Sequence, residues 1–456
     1  MMVVLRWQYW KRIIKHLRQL YIVFIVSGII SIVILFLNLT RYPEKTGPVN
    51  EKNVSVIQKI VVQSPEQVPE GEKRLLKMER KEERSCQPHT HIFFLKTHKT
   101  ASSTIMNILF RFGESHNLTF ALPANYQPQL FYPYYFTAYF VEGYTTKTRP
   151  KYDIMCHHMR FHLTEVEKVM PKDTFYFTLM RNPVSLMESS FSYYKNVDIF
   201  VNAHSLQEYL NNPYNYYNQT SRNSGYGKNL MAFDLGLDQH EPETPKHFKL
   251  AQKTIETMFN LVLITEYFDE SLILLKDALC WSFDDVLSFP LNSRNDSNRK
   301  VLSEETQDKV KTWNQLDWQL YVYFNKSFWE MVDKFGQDRM QSEVQELQRR
   351  RAAQSEICLQ GQVDDPAKIK DNSLRPFQAG IHKILGYNLK PGLQKDEERL
   401  CRRLVTPELQ YTEQLFIKQN RQRTIKAKNI SQQKRHRRSE KLQQWAVHRN
   451  KIRQRL

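Results

Sequence analysis

At 456 residues, with 41% hydrophobic and 25% charged side chains, the chain can bury a full core, which excludes a disordered or low-complexity protein. A net charge of +18 invites nucleic acid or an anionic membrane as partner, but the charge sits at the two ends: Arg6, Lys11, Arg12, Lys15 and Arg18 at the start, and 13 Lys/Arg against Glu440 from Arg421 onward. The body between is nearly neutral, so no nucleic acid is expected there.

From the N-terminus, "YIVFIVSGIISIVILFLNL" (Tyr21 to Leu39) is predominantly apolar. At about 1.5 Å per residue it is just long enough for a hydrocarbon core of ~30 Å, which predicts one transmembrane helix over residues 21–39. It is longer than a secretory h-region and no small-residue cleavage signature follows, which favours a retained signal anchor. The basic residues precede it, so residues 1–20 are expected in the cytosol and the rest in the lumen, a type II orientation. Six N-x-S/T sequons, at Asn53, Asn117, Asn218, Asn295, Asn325 and Asn429, lie on that side as glycosylation candidates. So do all five cysteines (Cys86, Cys156, Cys280, Cys358 and Cys401). One or two disulfides are expected in an oxidising compartment; the odd number leaves a thiol over, and the spacing does not give the pairing.

Residues 40–88 turn to Pro, Glu, Lys, Gln and Val without a long aliphatic period, a stem between membrane and body. The folded domain, expected over residues 89–415, opens with the strand "HIFFLK". A turn follows, and then a helix capped by Ser102 or Ser103, with Ile105, Ile108, Leu109 and Phe112 on one face and Gly113 as its stop. A second unit reads as strand "DTFYFTLM", turn "RNP" and helix "VSLMESSFSYY"; a third as strand "LVLITEYF" and helix "DESLILLKDALCW". Strands alternating with helices predict an α/β fold with a central parallel sheet. "SEVQELQRRRAAQSEICL" reads as a peripheral helix, and residues 416–456 as a basic, disordered tail. Within the tail, "RHRR" (Arg435 to Arg438) resembles a furin-type cleavage site.

A strand-to-helix turn in a parallel sheet offers free backbone N–H groups and the positive end of the helix dipole, which suits a phosphate. In "FFLKTHKTASST" that turn holds Lys96, His98, Lys99, Thr100, Ala101, Ser102, Ser103 and Thr104. Lys99-Thr100 stands where a nucleotide-triphosphatase loop ends, but the two glycines of G-x-x-x-x-G-K-[ST] are missing. The pattern K-T-x-S-S/T instead resembles the 5′-phosphosulfate loop of sulfotransferases, whose P-loop-like α/β fold binds 3′-phosphoadenosine 5′-phosphosulfate (PAPS). That resemblance implies a partner motif for the 3′-phosphate, an arginine after a later strand and a serine eight residues on. Arg181 and Ser189 fit it. An arginine fork donates two parallel hydrogen bonds to a phosphate.

"FLKTHKTASST", "CHHMRFH", "EYFDESLILLKDALCW", "ILGYNLKPGL" and "CRRLVTPELQY" together resemble the galactose-3-O-sulfotransferase family, from about His91 to Leu415 and nearer its glycoprotein-acting type 2 branch than its galactosylceramide-acting one. The resemblance implies a Golgi type II enzyme, with PAPS as donor and no metal, acting on the 3-hydroxyl of terminal β-galactose on a glycoprotein or glycolipid. It further implies an in-line displacement with Lys99 on the bridging oxygen, while Lys96 and His98 contact the sulfuryl oxygens or steady the loop. A base that is neutral near pH 7 suits histidine, here His158, with His157 and His162 as alternates. Two rivals stand beside this reading: a catalytically idle, membrane-anchored glycan-binding protein, and a metal hydrolase built on Cys156, His157, His158 and His162. The aromatic run Tyr126 to Tyr144 is read either as core or as a sugar-stacking face.

Overall fold

Four short apolar segments make the sheet that organises the domain: β1 (Ile92–Leu95), β2 (Ile154–Met155), β3 (Phe175–Met180) and β4 (Leu261–Ile264). All pair in parallel in the order β2-β1-β3-β4. Every residue of β1 and β4 is buried, as expected of parallel strands covered on both faces, and each such side chain contributes roughly 1.5–3 kcal/mol of burial free energy. The computed structural model describes residues 86–240, 244–294, 301–379 and 382–420. The chain divides into two units, Met1–Glu83 and Arg84–Leu456, and all described residues belong to the second. The predicted anchor over 21–39 and the "RHRR" motif therefore lie outside them, and among the described residues no helix is long and apolar enough to cross a membrane.

The helices used below are α1 (Ser102–Ser115), α2 (Pro183–Tyr193), α3 (Leu230–Asp234), α4 (Phe268–Leu279), α5 (Gln315–Phe335), α6 (Gln337–Cys358) and α7 (Lys395–Val405). The three predicted strand–helix units are present as β1-α1, β3-α2 and β4-α4, but the third strand is half as long as expected: it ends at Ile264, Thr265–Tyr267 form a 3-10 turn, and Phe268 already opens α4. The edge strand β2, only two residues long, carries no pattern a sequence reading registers. In α2, Pro183 is the first helical residue and the Asn182 side chain accepts from the Val184 N–H, so the "RNP" turn caps its own helix.

The expected ends of α1 are corrected. Its N-cap is Ala101 in the left-handed conformation, and no side chain caps the first turn. Ser102 Oγ donates instead to the Thr97 carbonyl at 2.8 Å and Ser103 Oγ to Glu408 at 2.8 Å. Nor does Gly113 stop the helix, which continues to Ser115; a Cβ at 113 would stand 2.3 Å from Phe120 Cζ and 2.9 Å from Ile154 Cδ1. Close packing of α1 on the β2 edge demands the glycine.

Both ends of the predicted domain also move. Cys86 is bonded to Cys280 just past α4, and the His89 N–H donates to the Leu279 carbonyl at 3.0 Å, so residues assigned to the stem are already fastened to the body. Residues 408–420 are helical, and within them Phe416 is buried while the Gln419 amide bonds both the N–H and the C=O of Phe120. The boundary expected at 415/416 falls inside this helix. A second disulfide, Cys358–Cys401, staples α6 to α7, and Cys156 is a buried free thiol.

Candidate active site

Leaving β1 the chain pairs β2 on one side, while β3 lies on the other; the crevice at such a switch point, outside the carboxyl ends of the strands, is where α/β sheets bind ligands. A cavity of about 870 Å³ opens there, lined by Lys96 to Thr104 apart from Thr97, by His158, and by Arg181 and Ser189. The turn after β1 and the turn after β3 touch: Arg181 Nη1 donates to the Lys99 carbonyl at 2.7 Å. Lys99 (φ 61°) and Ala101 (φ 59°) are both left-handed, which costs on the order of 1 kcal/mol each in a residue with a Cβ. Left-handed residues interleaved in a turn gather backbone N–H groups into anion-binding concavities.

Most of the hydroxyls expected to cradle an anion build the turn instead. Thr97 Oγ1 meets Thr100 Oγ1 and donates to the Leu179 carbonyl, both at 2.8 Å, and Thr104 Oγ1 accepts from the Leu291 N–H at 3.0 Å. Lys96 is 2% exposed and is held by the Glu408 carboxylate at 3.1 Å, with Ser102 Oγ and Ser103 Oγ at 3.3 and 3.4 Å. Burial alone would raise the Glu408 carboxyl, but Lys96 and the Ser103 hydroxyl hold it below the usual carboxylate range.

Lys99 is different. Its ammonium lies 3.8 Å over the Tyr193 ring, and burial, then the charges of Arg181, Arg294 and Lys96, lower its pKa to about 7. Arg294, ion-paired with Glu188, also lines the cavity, and its Nη1 is buried without a partner among the described residues. The turn thus has one committed lysine and one poised lysine.

In the same cavity the imidazoles of His98 and His158 stack, with centroids 3.7 Å apart and planes 6° apart. His158 Nδ1 donates to the Lys96 carbonyl at 2.8 Å; burial, and then His98 and Lys96, push its pKa well below the ordinary value. His98 Nδ1 lies 3.0 Å from both carboxylate oxygens of Asp234, and its backbone N–H donates to the same carboxylate at 2.7 Å.

The galactose-3-O-sulfotransferase family model matches residues 1–419. Galactose-3-O-sulfotransferase 2 of Sus scrofa is 48% identical over 73% of this chain and 85% of its own length, and its Homo sapiens counterpart 45% over 74% and 86%. Galactosylceramide sulfotransferase of Homo sapiens is 44% identical over 72% and 78%. The chain belongs to the galactose-3-O-sulfotransferase family. In this family member the structure brings Lys96, His98, Lys99, His158, Arg181 and Ser189 to one cavity.

The alternates for the base separate from it. His157 is buried, its Nε2 at 3.1 Å from Thr412 Oγ1 and its pKa lowered by burial to about 3, and His162 is exposed. Cys156, His157, His158 and His162 do not converge, and no group of three or more potential metal ligands occurs among the described residues. Of the aromatic run, Tyr132 and Phe136 are core whereas Tyr126, Tyr134, Tyr135 and Tyr139 are exposed. Among the sequons, Asn117 and Asn218 are exposed, while Asn325 lies mid-helix in α5 with its side-chain oxygen buried; Asn53, Asn295 and Asn429 lie outside the described residues.

Sequence reading missed two residues, Asp234 and Glu408. Asp234 is the one charged residue of the apolar helix "LMAFD", a signal that flags a buried, partnered carboxylate without naming its partner. Glu408 lies within the quoted "TPELQY", but nothing local ties it to a lysine near the start of the domain.

Proposed function

We propose that this protein transfers sulfate from PAPS to the 3-hydroxyl of terminal β-galactose on glycoprotein glycans, as a Golgi type II membrane enzyme with its folded domain in the lumen. The observation that carries this reading is the convergence on one cavity of a cationic turn after β1 and an Arg-Ser pair after β3, beside two stacked imidazoles. The residues fit a nucleotide with phosphate at two ends: α1 begins without a side-chain cap, the half-buried Lys99 lines the cavity beside it, and Arg181 and Ser189 face the same space. PAPS supplies a transferable sulfuryl group on a phosphate leaving group. Lys99 stabilises the charge that grows on that leaving group, Arg181 and Ser189 hold the 3′-phosphate, and the first amides of α1 hold the 5′-phosphate. One of the stacked imidazoles, His158 in the sequence reading or its neighbour His98, takes the hydroxyl proton. The two disulfides support an oxidising, luminal compartment.

The choice of acceptor leans on relatives: those named galactose-3-O-sulfotransferase 2 stand at 44 to 48% identity, and those named galactosylceramide sulfotransferase at 44%. The test is sulfate transfer from labelled PAPS by the full-length enzyme in detergent with EDTA, offered Galβ1-3GalNAc, Galβ1-4GlcNAc and galactosylceramide. Transfer to a disaccharide, lost in Lys99→Ala, is the expected result. Transfer to galactosylceramide alone moves the acceptor to glycolipid, and failure to bind PAPS sinks the reading.

A further inference from the structure

We propose that Asp234 is a positioning residue that fixes which nitrogen of His98 carries the proton, so that His98 rather than its stacked neighbour His158 accepts the acceptor's hydroxyl proton, and that α5 holds Asp234 in place through Asn314 and Asp317. This rests on the sulfotransfer reading above. An ionised carboxylate only accepts hydrogen bonds, so with both its oxygens 3.0 Å from His98 Nδ1 that nitrogen carries the hydrogen and Nε2 keeps its lone pair. Nε2 is buried and has no hydrogen-bond partner among the described residues, while the His98 ring lines the cavity. A buried acceptor of this kind is costly unless a donor comes to it, and a sugar hydroxyl is such a donor.

His158 lacks the equivalent support. Its Nδ1–H goes to a neutral carbonyl, whereas an imidazolium formed at His98 is stabilised by a full negative charge. The other rings packed on His98 are Tyr132, Tyr194 and Tyr226, at 4.5, 6.3 and 5.5 Å between centroids. Burial raises all three phenols, so they stay neutral. Lys96 acts on the stack from beside His158, while the Arg160 guanidinium and the Asp317 carboxyl, which burial raises to about 7, neighbour Asp234.

Asp234 is completely buried at the end of α3, a five-residue helix too short to hold itself. Its first turn is clamped from α5: Asp317 accepts the Met231 and Ala232 N–H groups at 2.9 and 2.8 Å, and the Asn314 side chain accepts the Asn229 N–H at 2.8 Å. At the other end the Phe161 N–H donates to the Asp234 carbonyl at 3.0 Å. In the reaction the hydroxyl proton passes to His98 Nε2 and the oxygen's electron pair forms the new bond to the sulfuryl sulfur. The pair of the broken sulfur–oxygen bond leaves with the nucleotide, and Asp234 stays ionised throughout.

The test uses the full-length enzyme and Asp234→Asn. The asparagine carbonyl still accepts from the His98 backbone, but its amide donates to Nδ1 and forces the hydrogen onto Nε2. Expected are a fall in kcat of roughly 10²–10⁴-fold, the contribution of a general base, with adenosine 3′,5′-bisphosphate affinity unchanged by calorimetry. Nitrogen-15 NMR of labelled histidine should show the His98 tautomer inverted. Asp317→Asn, which keeps a carbonyl facing the Met231 and Ala232 N–H groups, is the control: a few-fold loss of kcat with the His98 tautomer unchanged. Asp234→Asn with near wild-type kcat, or an uninverted His98 tautomer, overturns the proposal while leaving sulfotransfer standing. A wild-type enzyme that transfers sulfate to no galactoside overturns both.

Discussion

Lys99 carries the pH dependence of the cavity. With its pKa lowered to about 7 by burial and by neighbouring cations, it is half neutral at pH 7 in the protein alone, and a phosphate docking on the turn restores its charge. Binding then takes up a proton above about pH 7, so adenosine 3′,5′-bisphosphate affinity should fall by up to about tenfold per pH unit between roughly pH 7 and 9. Lys99→Arg, which stays charged, should flatten that dependence. Calorimetry across buffers of different ionisation enthalpy reads both effects, and a wild-type affinity that is level over this range would remove Lys99 from the phosphates. That a lysine belongs in the turn is legible from "KTHKTASST"; that one lysine is committed and the other poised is not, because a carboxylate 312 positions beyond Lys96 makes the difference.

Among the elements, the helix over residues 408–420 is the one whose role changed most between sequence and structure. Its first residue supplies Glu408 to Lys96 and Ser103, and its later residues cover Phe120. Removing one member of a buried ion pair strands the other, so Glu408→Gln should destabilise the domain by about 3 kcal/mol and weaken nucleotide binding by loosening the turn. The Glu408 carboxyl lies below its ordinary value in the fold, so the pair's contribution is present above the unfolded pKa and lost as pH falls through the folded one. An unchanged thermal melt at neutral pH would show that the pair does not hold the turn. The three strand–turn–helix units were legible because each is written in consecutive residues, an apolar run, a turn and an amphipathic period. The two-residue β2 and the uncapped start of α1 were not, since contacts with distant segments decide both.

At the scale of the whole molecule, two long-range disulfides close the chain on itself. Cys86–Cys280 fastens the start of the domain beside the end of α4, and Cys358–Cys401 ties α6 to α7 next to the small core around Phe289, Ile369 and Tyr387. Replacing Cys358 and Cys401 together by alanine should cost roughly 2–4 kcal/mol, read as a lowered thermal midpoint. The same protein, unreduced, should show no reactive thiol when native and one, Cys156, when unfolded in denaturant; a thiol that reacts in the native state would contradict this arrangement. Odd cysteine arithmetic foretold the leftover thiol, while the pairing needed the fold to bring residues 194 positions apart within bonding distance.

What the sequence determined by itself was whatever is local and contiguous. The parallel α/β character, the cationic turn after the first strand, and the arginine and serine of a second unit each follow from residues within one turn or one helix of each other. Tertiary structure alone decided which polar groups are committed and which are left to act. His98 acquires its carboxylate from a residue 136 positions away and Ser103 its partner from 305 positions away. A hydrogen-bond partner that arrives through the topology of the sheet leaves no periodic or spacing signal in the chain, because burial and packing, rather than local propensity, bring the two groups together.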